Sequence, residues 1–265
     1  MSKSLFTLLL AVTVGAALLL IPPDQAQAQG KGGGKGGAKG GAPKGKQAAR
    51  TLAPIDLTGS WVSVVTEDWM FRMVTPPKGQ FLGVPMSQAA RTAANAWDPA
   101  ADEASGNACK SYGAAAIMRV PGRLRVTWDN DTTLKIETEA GTQTRLFHFD
   151  GAPPAVADPS WQGYSQAEWE VAVTGRGAAR AGSLKVSTTG LRPGYLRKNG
   201  VPYSSNTQLT EYYDVHTGDN GDVWMVVTTQ VHDPANLTTD FITSSHFKKL
   251  PAGDPTWRPD PCSAR

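Results

Sequence analysis

The sequence predicts a mostly β domain, an antiparallel β barrel of about 8 to 11 strands with one short helix, on three observations. Apolar and polar residues alternate with period two along many short runs, turn residues punctuate those runs, and a single stretch carries helical signals. Gly59 to Glu67 and Trp69 to Val74 are the first strand-like runs. The helix follows at Ser87 to Trp97, where Ser87 caps an Ala-rich stretch that Asp98-Pro99 ends. After another strand-like run, Ala115 to Val120, the residues Leu124, Val126 and Trp128 alternate with Arg123, Arg125 and Thr127. Asn130-Asp131 then turns the chain into Leu134, Ile136 and Thr138, which is hairpin chemistry. Gly141 precedes Thr142 to Phe149, where Gln143, Arg145, Phe147 and Phe149 face one way and Thr144, Leu146 and His148 the other. Ala167 to Val173, Leu184 to Thr189, Thr207 to Val215, Asp222 to Val231 and Asp240 to Lys248 complete the strands, with Asp219-Asn220-Gly221 turning between two of them.

Two segments without folding code precede this domain, which spans residues 51–265. Lys3, the uncharged apolar run Leu5 to Ile21 and Ala26-Gln27-Ala28 make residues 1–28 read as a signal peptide cleaved before Gln29. The alternative is an uncleaved anchor, since that run approaches the roughly 20 apolar residues that cross a bilayer; Pro22-Pro23 and the A-x-A motif argue for cleavage. No second apolar run of that length occurs, so the exported chain, periplasmic or extracellular, is expected to lack a transmembrane segment. Residues 29–50 form a Gly/Lys-rich tail with Lys31, Lys35, Lys39, Lys44 and Lys46 and too little apolar surface to offset its ordering entropy. Its partner, if it is more than a solvated spacer, is an anionic envelope polymer.

The charge divides sharply along the chain. Of 26 basic and 23 acidic residues, seven basic and one acidic lie in residues 1–50, which leaves 19 and 22 for the domain, a net of −3. The basic character belongs to the tail, and nucleic acid is not expected as a partner of the domain. The two cysteines, Cys109 and Cys262, predict a disulfide in an exported chain.

Sequence motifs for catalysis are sparse: there is no H-E-x-x-H, no G-x-S-x-G and no Gly-rich phosphate loop between strand and helix. The spacing of His148, His216, His232 and His246 demands no metal, and no cofactor is implied. His148, Glu211 and His246 stand on strands that otherwise supply core, and if their faces point inward they are the candidates for acid/base work. A register error of one residue would turn them outward, where they are ordinary surface groups. Asp150, Asp214 and Asp233, at strand ends, are expected to make turn bonds. Large rings fill cores of any purpose, but Tyr112, Arg145, Trp161, Tyr195, Tyr203 and Tyr213 are the candidates to line a ligand site. Trp161, Tyr195 and Tyr203 lie in Pro/Gly-rich loops, Pro153 to Gly163 and Leu191 to Ser205, where a mouth or lid is expected.

The Gly59-Ser60-Trp61 motif at the head of the first strand resembles the opening motif of lipocalin-like, or calycin, barrels. That resemblance covers the first strand and implies a Trp plugging the closed end of a barrel that binds small apolar molecules. Tyr112 to Gly122, Thr142 to Phe149, His246-Phe247-Lys248-Lys249 and Pro261-Cys262 resemble a family of uncharacterised exported bacterial proteins, which implies no activity. Three roles follow as expectations. The first is non-enzymatic binding of a small apolar or amphipathic molecule, the second an enzyme using the His/Glu groups inside the barrel, and the third an envelope interaction protein docked through its tail.

Overall fold

The structure, a computed structural model, describes residues 48–151, 158–172 and 181–265; the expected signal and the tail up to residue 47 lie outside the described residues. Strands β1 (Gly59–Val64), β2 (Arg123–Asn130), β3 (Thr133–Thr138), β4 (Gln143–His148), β5 (Tyr164–Ala172) and β6 (Ala181–Thr189) come first in the chain. A short hairpin, β7 (Gly194–Arg197) and β8 (Val201–Tyr203), precedes β9 (Gln208–Thr217), β10 (Val223–His232) and β11 (Phe241–Lys249). Nine strands close into a barrel in the order β1-β11-β10-β9-β6-β5-β4-β3-β2, and β7-β8 stand apart as a two-stranded sheet.

The barrel is mixed rather than purely antiparallel. Every neighbouring pair is antiparallel except β4 and β5, which run parallel and are registered only through Phe147↔Ser165 and His148↔Gln166. Parallel neighbours need a connection that returns the chain to the end from which it came. This seam has the shortest pairing in the barrel.

The helical content also exceeds the expectation. Trp69 to Val74 contains a helical turn, α2 (Trp69–Arg72), and the first half of Ala115 to Val120 lies in another, α5 (Ala114–Ile117), instead of two strands. Both runs are apolar apart from one Arg each and do not alternate, a pattern that does not separate a strand from a buried helical turn. Ser87 caps helix α3 (Gln88–Asn95) as expected, its side chain accepting from Ala90 N. Asp98 both follows that helix and caps α4 (Pro99–Ala104), accepting from the amides of Ala100 and Ala101 with Pro99 in the first turn. The hairpin β7-β8 lies in a segment read as loop because of Pro193, Gly194 and Pro202; Asn199-Gly200, with Gly200 at φ +85°, is its turn.

Alternation sorts the side chains. Odd residues of β1, β4, β5, β9, β10 and β11 and even residues of β2, β3 and β6 face the lumen, where Trp61, Leu134, Phe147, Leu184, Tyr213, Met225 and Val227 are wholly buried. Full burial of such a side chain contributes about 1.5–3 kcal/mol. A second apolar cluster, including Ala90 and Ala94 of α3, Leu196, Tyr203, Leu237 and Phe241, covers the end of the barrel where β10 finishes and β11 begins. Trp61 is buried near the opposite end, its indole N–H donating to Leu57 O at 2.9 Å, with the Lys249 ammonium 5.3 Å from the ring.

The expected disulfide is present between Cys109 and Cys262. It ties the C-terminal segment, where Ala264 N donates to Glu103 Oε1 at 2.7 Å, to the helical layer over the barrel.

Candidate functional site

Two regions hold the side chains that chemistry or binding would use. The first is the centre of the lumen. Arg145 on β4 reaches across to Glu211 on β9, with Nη1 to Oε1 at 2.9 Å and Nη2 to Oε2 at 2.6 Å, and both side chains are fully buried. Tyr213 donates to Glu211 Oε1 at 3.2 Å, Thr188 stands 3.5 Å from Arg145 Nη2, and Ser165 bonds Thr188 at 2.7 Å. The guanidinium also lies over the Phe147 ring at 4.9 Å. Burial opposes the Arg145 charge, but the Glu211 carboxylate and the Tyr213 oxygen outweigh it and raise its pKa, while burial pushes the Tyr213 hydroxyl well above its usual range. The pair is bidentate and fully buried.

That centre leaves no room for a ligand. The inward-facing residues around it, Leu134, Phe147, Leu184, Val186, Thr188 and Val227, have relative exposures of 0%. The lumen described here is a packed core.

The second region is the end at which β1 begins. Trp128, Phe149 and Trp169 gather there as half-buried rings, with centroids 5.6 Å apart for Trp128 and Phe149 and 5.1 Å for Phe149 and Trp169. The helix α1 (Ala49–Leu52) crosses beside them: the Trp169 indole donates to Ala49 O at 2.9 Å and Arg50 N donates to Asp131 O at 3.1 Å. Residues 48–50, grouped with the tail by composition, are therefore placed against the barrel. Between α1 and the strands runs a cleft of about 680 Å³ lined by Leu52, Phe149, Ala167, Trp169 and Val171, with Asp150 and Glu168 as its acidic members. Its position follows from the β4–β5 seam, which stops pairing at His148 and Gln166 and leaves Phe149 and Trp169 without strand neighbours between them.

The sequence-derived candidates are distributed rather than gathered. Glu211 faces the lumen, whereas His148 and His246 face outward, and the three share no hydrogen bond. His148 stacks on Tyr164 at 4.9 Å, and His246 Nδ1 lies 3.0 Å from Glu67 Oε2 and 3.1 Å from Thr66 Oγ1. Among the ligand candidates, Arg145 and Tyr213 meet at the lumen centre. Tyr112 accepts from Lys198 Nζ at 3.0 Å, Tyr195 donates to Asp102 Oδ2 at 2.8 Å, Trp161 lies under Arg192 at 4.4 Å, and Tyr203 is buried against Gly113 and Gly194. None of these six lines the end cleft. Asp233 makes turn bonds as expected, accepting from Ser204, Ala235 and Asn236. Among the described residues no group of three His, Cys, Asp or Glu side chains is placed to hold a metal ion.

Fold and site together define a closed nine-stranded β barrel with a filled lumen and an apolar cleft at one end. Compared with known protein families, with curated proteins and with solved structures, the chain finds no match.

Proposed function

We propose that the protein is an exported, non-enzymatic binding protein whose ligand is a small apolar or amphipathic molecule held in the end cleft. One observation carries this reading: the rings of Phe149 and Trp169 stay partly exposed beside a cleft of about 680 Å³, a size suited to small-molecule sites, while the lumen is filled. The apolar walls match a hydrocarbon or ring body, and Asp150 and Glu168 suit a hydrogen-bond-donating or basic end. Export rests on the A-x-A signal sequence and agrees with a disulfide, which persists in oxidising compartments. The lipocalin-like Gly59-Ser60-Trp61 motif suits such a binder, although a lipocalin holds its ligand inside the barrel and this chain would hold it at the rim.

Titration with the neutral fluorophore N-phenyl-1-naphthylamine tests the proposal. The expected result is saturable binding that Trp169→Ala weakens about tenfold or more, as the loss of an aromatic wall does. Binding that ignores Trp169→Ala and Phe149→Ala alike would overturn it.

A further inference from the structure

Buried cations crowd a small pocket far from that cleft, beneath α2. Arg72 on α2, Arg119 just after α5 and Arg197 at the end of β7 are exposed to 7%, 6% and 4% respectively, and all three line a pocket of about 30 Å³ together with half-buried Lys198. The carboxylates that face them are Glu67, paired with Arg72, and Asp68, which bonds Arg119 Nη2 at 2.9 Å. Asp68 reaches Arg119 from a left-handed backbone conformation, φ 49°, that a non-glycine residue rarely adopts. Four cations thus face two carboxylates. Among the described residues Arg197 has no carboxylate partner; it donates to Leu82 O at 2.7 Å and stacks on Phe71 at 4.4 Å.

Each guanidinium keeps a buried nitrogen without an acceptor: Arg72 Nη2, Arg119 Nη1 and Arg197 Nε. A buried N–H without a partner is costly, and an excess of buried positive charge more so. Burial pulls the Arg197 pKa down to about 10, with the Arg119 charge adding and Asp68 opposing, so the side chain stays charged at neutral pH against its surroundings. A fold has little reason to converge three arginines from three separate elements unless something anionic joins them. The lumen pair also leaves Arg145 Nε without an acceptor, but it sets one cation against one carboxylate and carries no excess charge.

We propose that Arg72, Arg119 and Arg197 form a site for a phosphate- or sulfate-type oxyanion. Three guanidinium groups from different directions match the several oxygens of a tetrahedral anion, and guanidinium is the side-chain group best shaped to bond such oxygens. Lys198, half-buried among the lining residues, adds a fourth cation, its Nζ donating to the Tyr112 hydroxyl at 3.0 Å. The anion can arrive free or as a lipid headgroup, for Trp69, Met70, Met73 and Val74 around α2 are exposed apolar residues.

Equilibrium dialysis of the purified protein against labelled inorganic phosphate at constant ionic strength reads the free arm. Sedimentation with phosphatidylcholine vesicles, with and without phosphatidic acid, reads the lipid arm. Saturable phosphate binding that sulfate competes and that Arg197→Met weakens about tenfold to a hundredfold supports the site. So does vesicle binding that requires phosphatidic acid and is lost in Arg197→Met, and it assigns the anion to a lipid. Arg197→Met removes the unpaired charge and is expected to keep the fold; Lys198→Met, with a smaller loss of binding, serves if it does not. Binding in neither arm, or binding unchanged in both variants, would overturn the proposal. The end-cleft reading is untouched by either result, because that cleft shares no residue with this pocket.

Discussion

At the barrel centre, Arg145, Glu211 and Tyr213 bond one another inside a shell of wholly buried side chains, with only Arg145 Nε left over; at the open end, Trp128, Phe149 and Trp169 touch one another but leave part of each ring to solvent. Both regions are built of large rings and polar groups on inward-facing strand positions. What separates them is completeness. The centre has a partner for nearly every group and its neighbours are wholly buried, the arrangement of a rigid polar network inside a core. The end has apolar surface that the chain itself does not finish covering, and surface of that kind beside a cleft is where binding energy remains to be gained.

The largest effect is expected from breaking the centre on one side. Glu211→Gln strands the buried Arg145 charge and should lower the unfolding free energy by about 3–5 kcal/mol in urea titration. Replacing both partners, Arg145→Met with Glu211→Leu, should recover most of that loss, because an apolar pair needs no charge satisfaction. A double variant as unstable as the single one would make the centre something other than a charge-paired bolt.

At the open end, Trp169→Ala should cost about 2 kcal/mol, less than the roughly 3–5 of a fully buried Trp, because part of the ring already faces water. The same variant carries the loss of fluorophore binding. A stability loss as large as that of Glu211→Gln would place Trp169 in the core and erase the contrast.

The smallest effect concerns a buried carboxylate that belongs to neither region. Burial raises the Asp233 pKa, but bonds from Asn236, Ser204 and Ala235 outweigh it and hold the carboxyl below its usual value. A pKa depressed in the folded state gives stability that is complete above the unfolded value and lost as pH falls through the folded one. Asp233→Asn should therefore destabilise by about 1 kcal/mol at neutral pH, and the gap to the parent protein should close as pH falls below about 4. A gap independent of pH would show that the charge is not what the turn uses.

Much of the barrel was legible in period-two alternation, since Leu124, Val126, Leu134 and Ile136 need only their own spacing to declare an inward face. The disulfide was legible from compartment and count. The parallel β4–β5 seam was not, because pairing direction leaves no mark on the pattern of either strand. Helices α2 and α5 were missed because apolar runs interrupted by a single Arg have no period to read. For the candidate site, the aromatic supply was visible, but the cleft depends on α1, whose Ala49 and Arg50 continue the composition of the tail; Leu52 and Ile55, the first large aliphatic residues after the tail, were the available sign that folding had begun. Glu211 could be placed on an inward strand face, yet its partner Arg145 lies three strands away around the barrel, a distance no local pattern encodes.

The central claim, a filled lumen and a receptive end, is tested most directly by methyl NMR of the protein titrated with N-phenyl-1-naphthylamine. The account predicts shifts confined to Ala49, Leu52, Ala167 and Val171 around the cleft. Shifts at Leu134, Leu184 and Val227 in the lumen, with the cleft methyls unmoved, would contradict it.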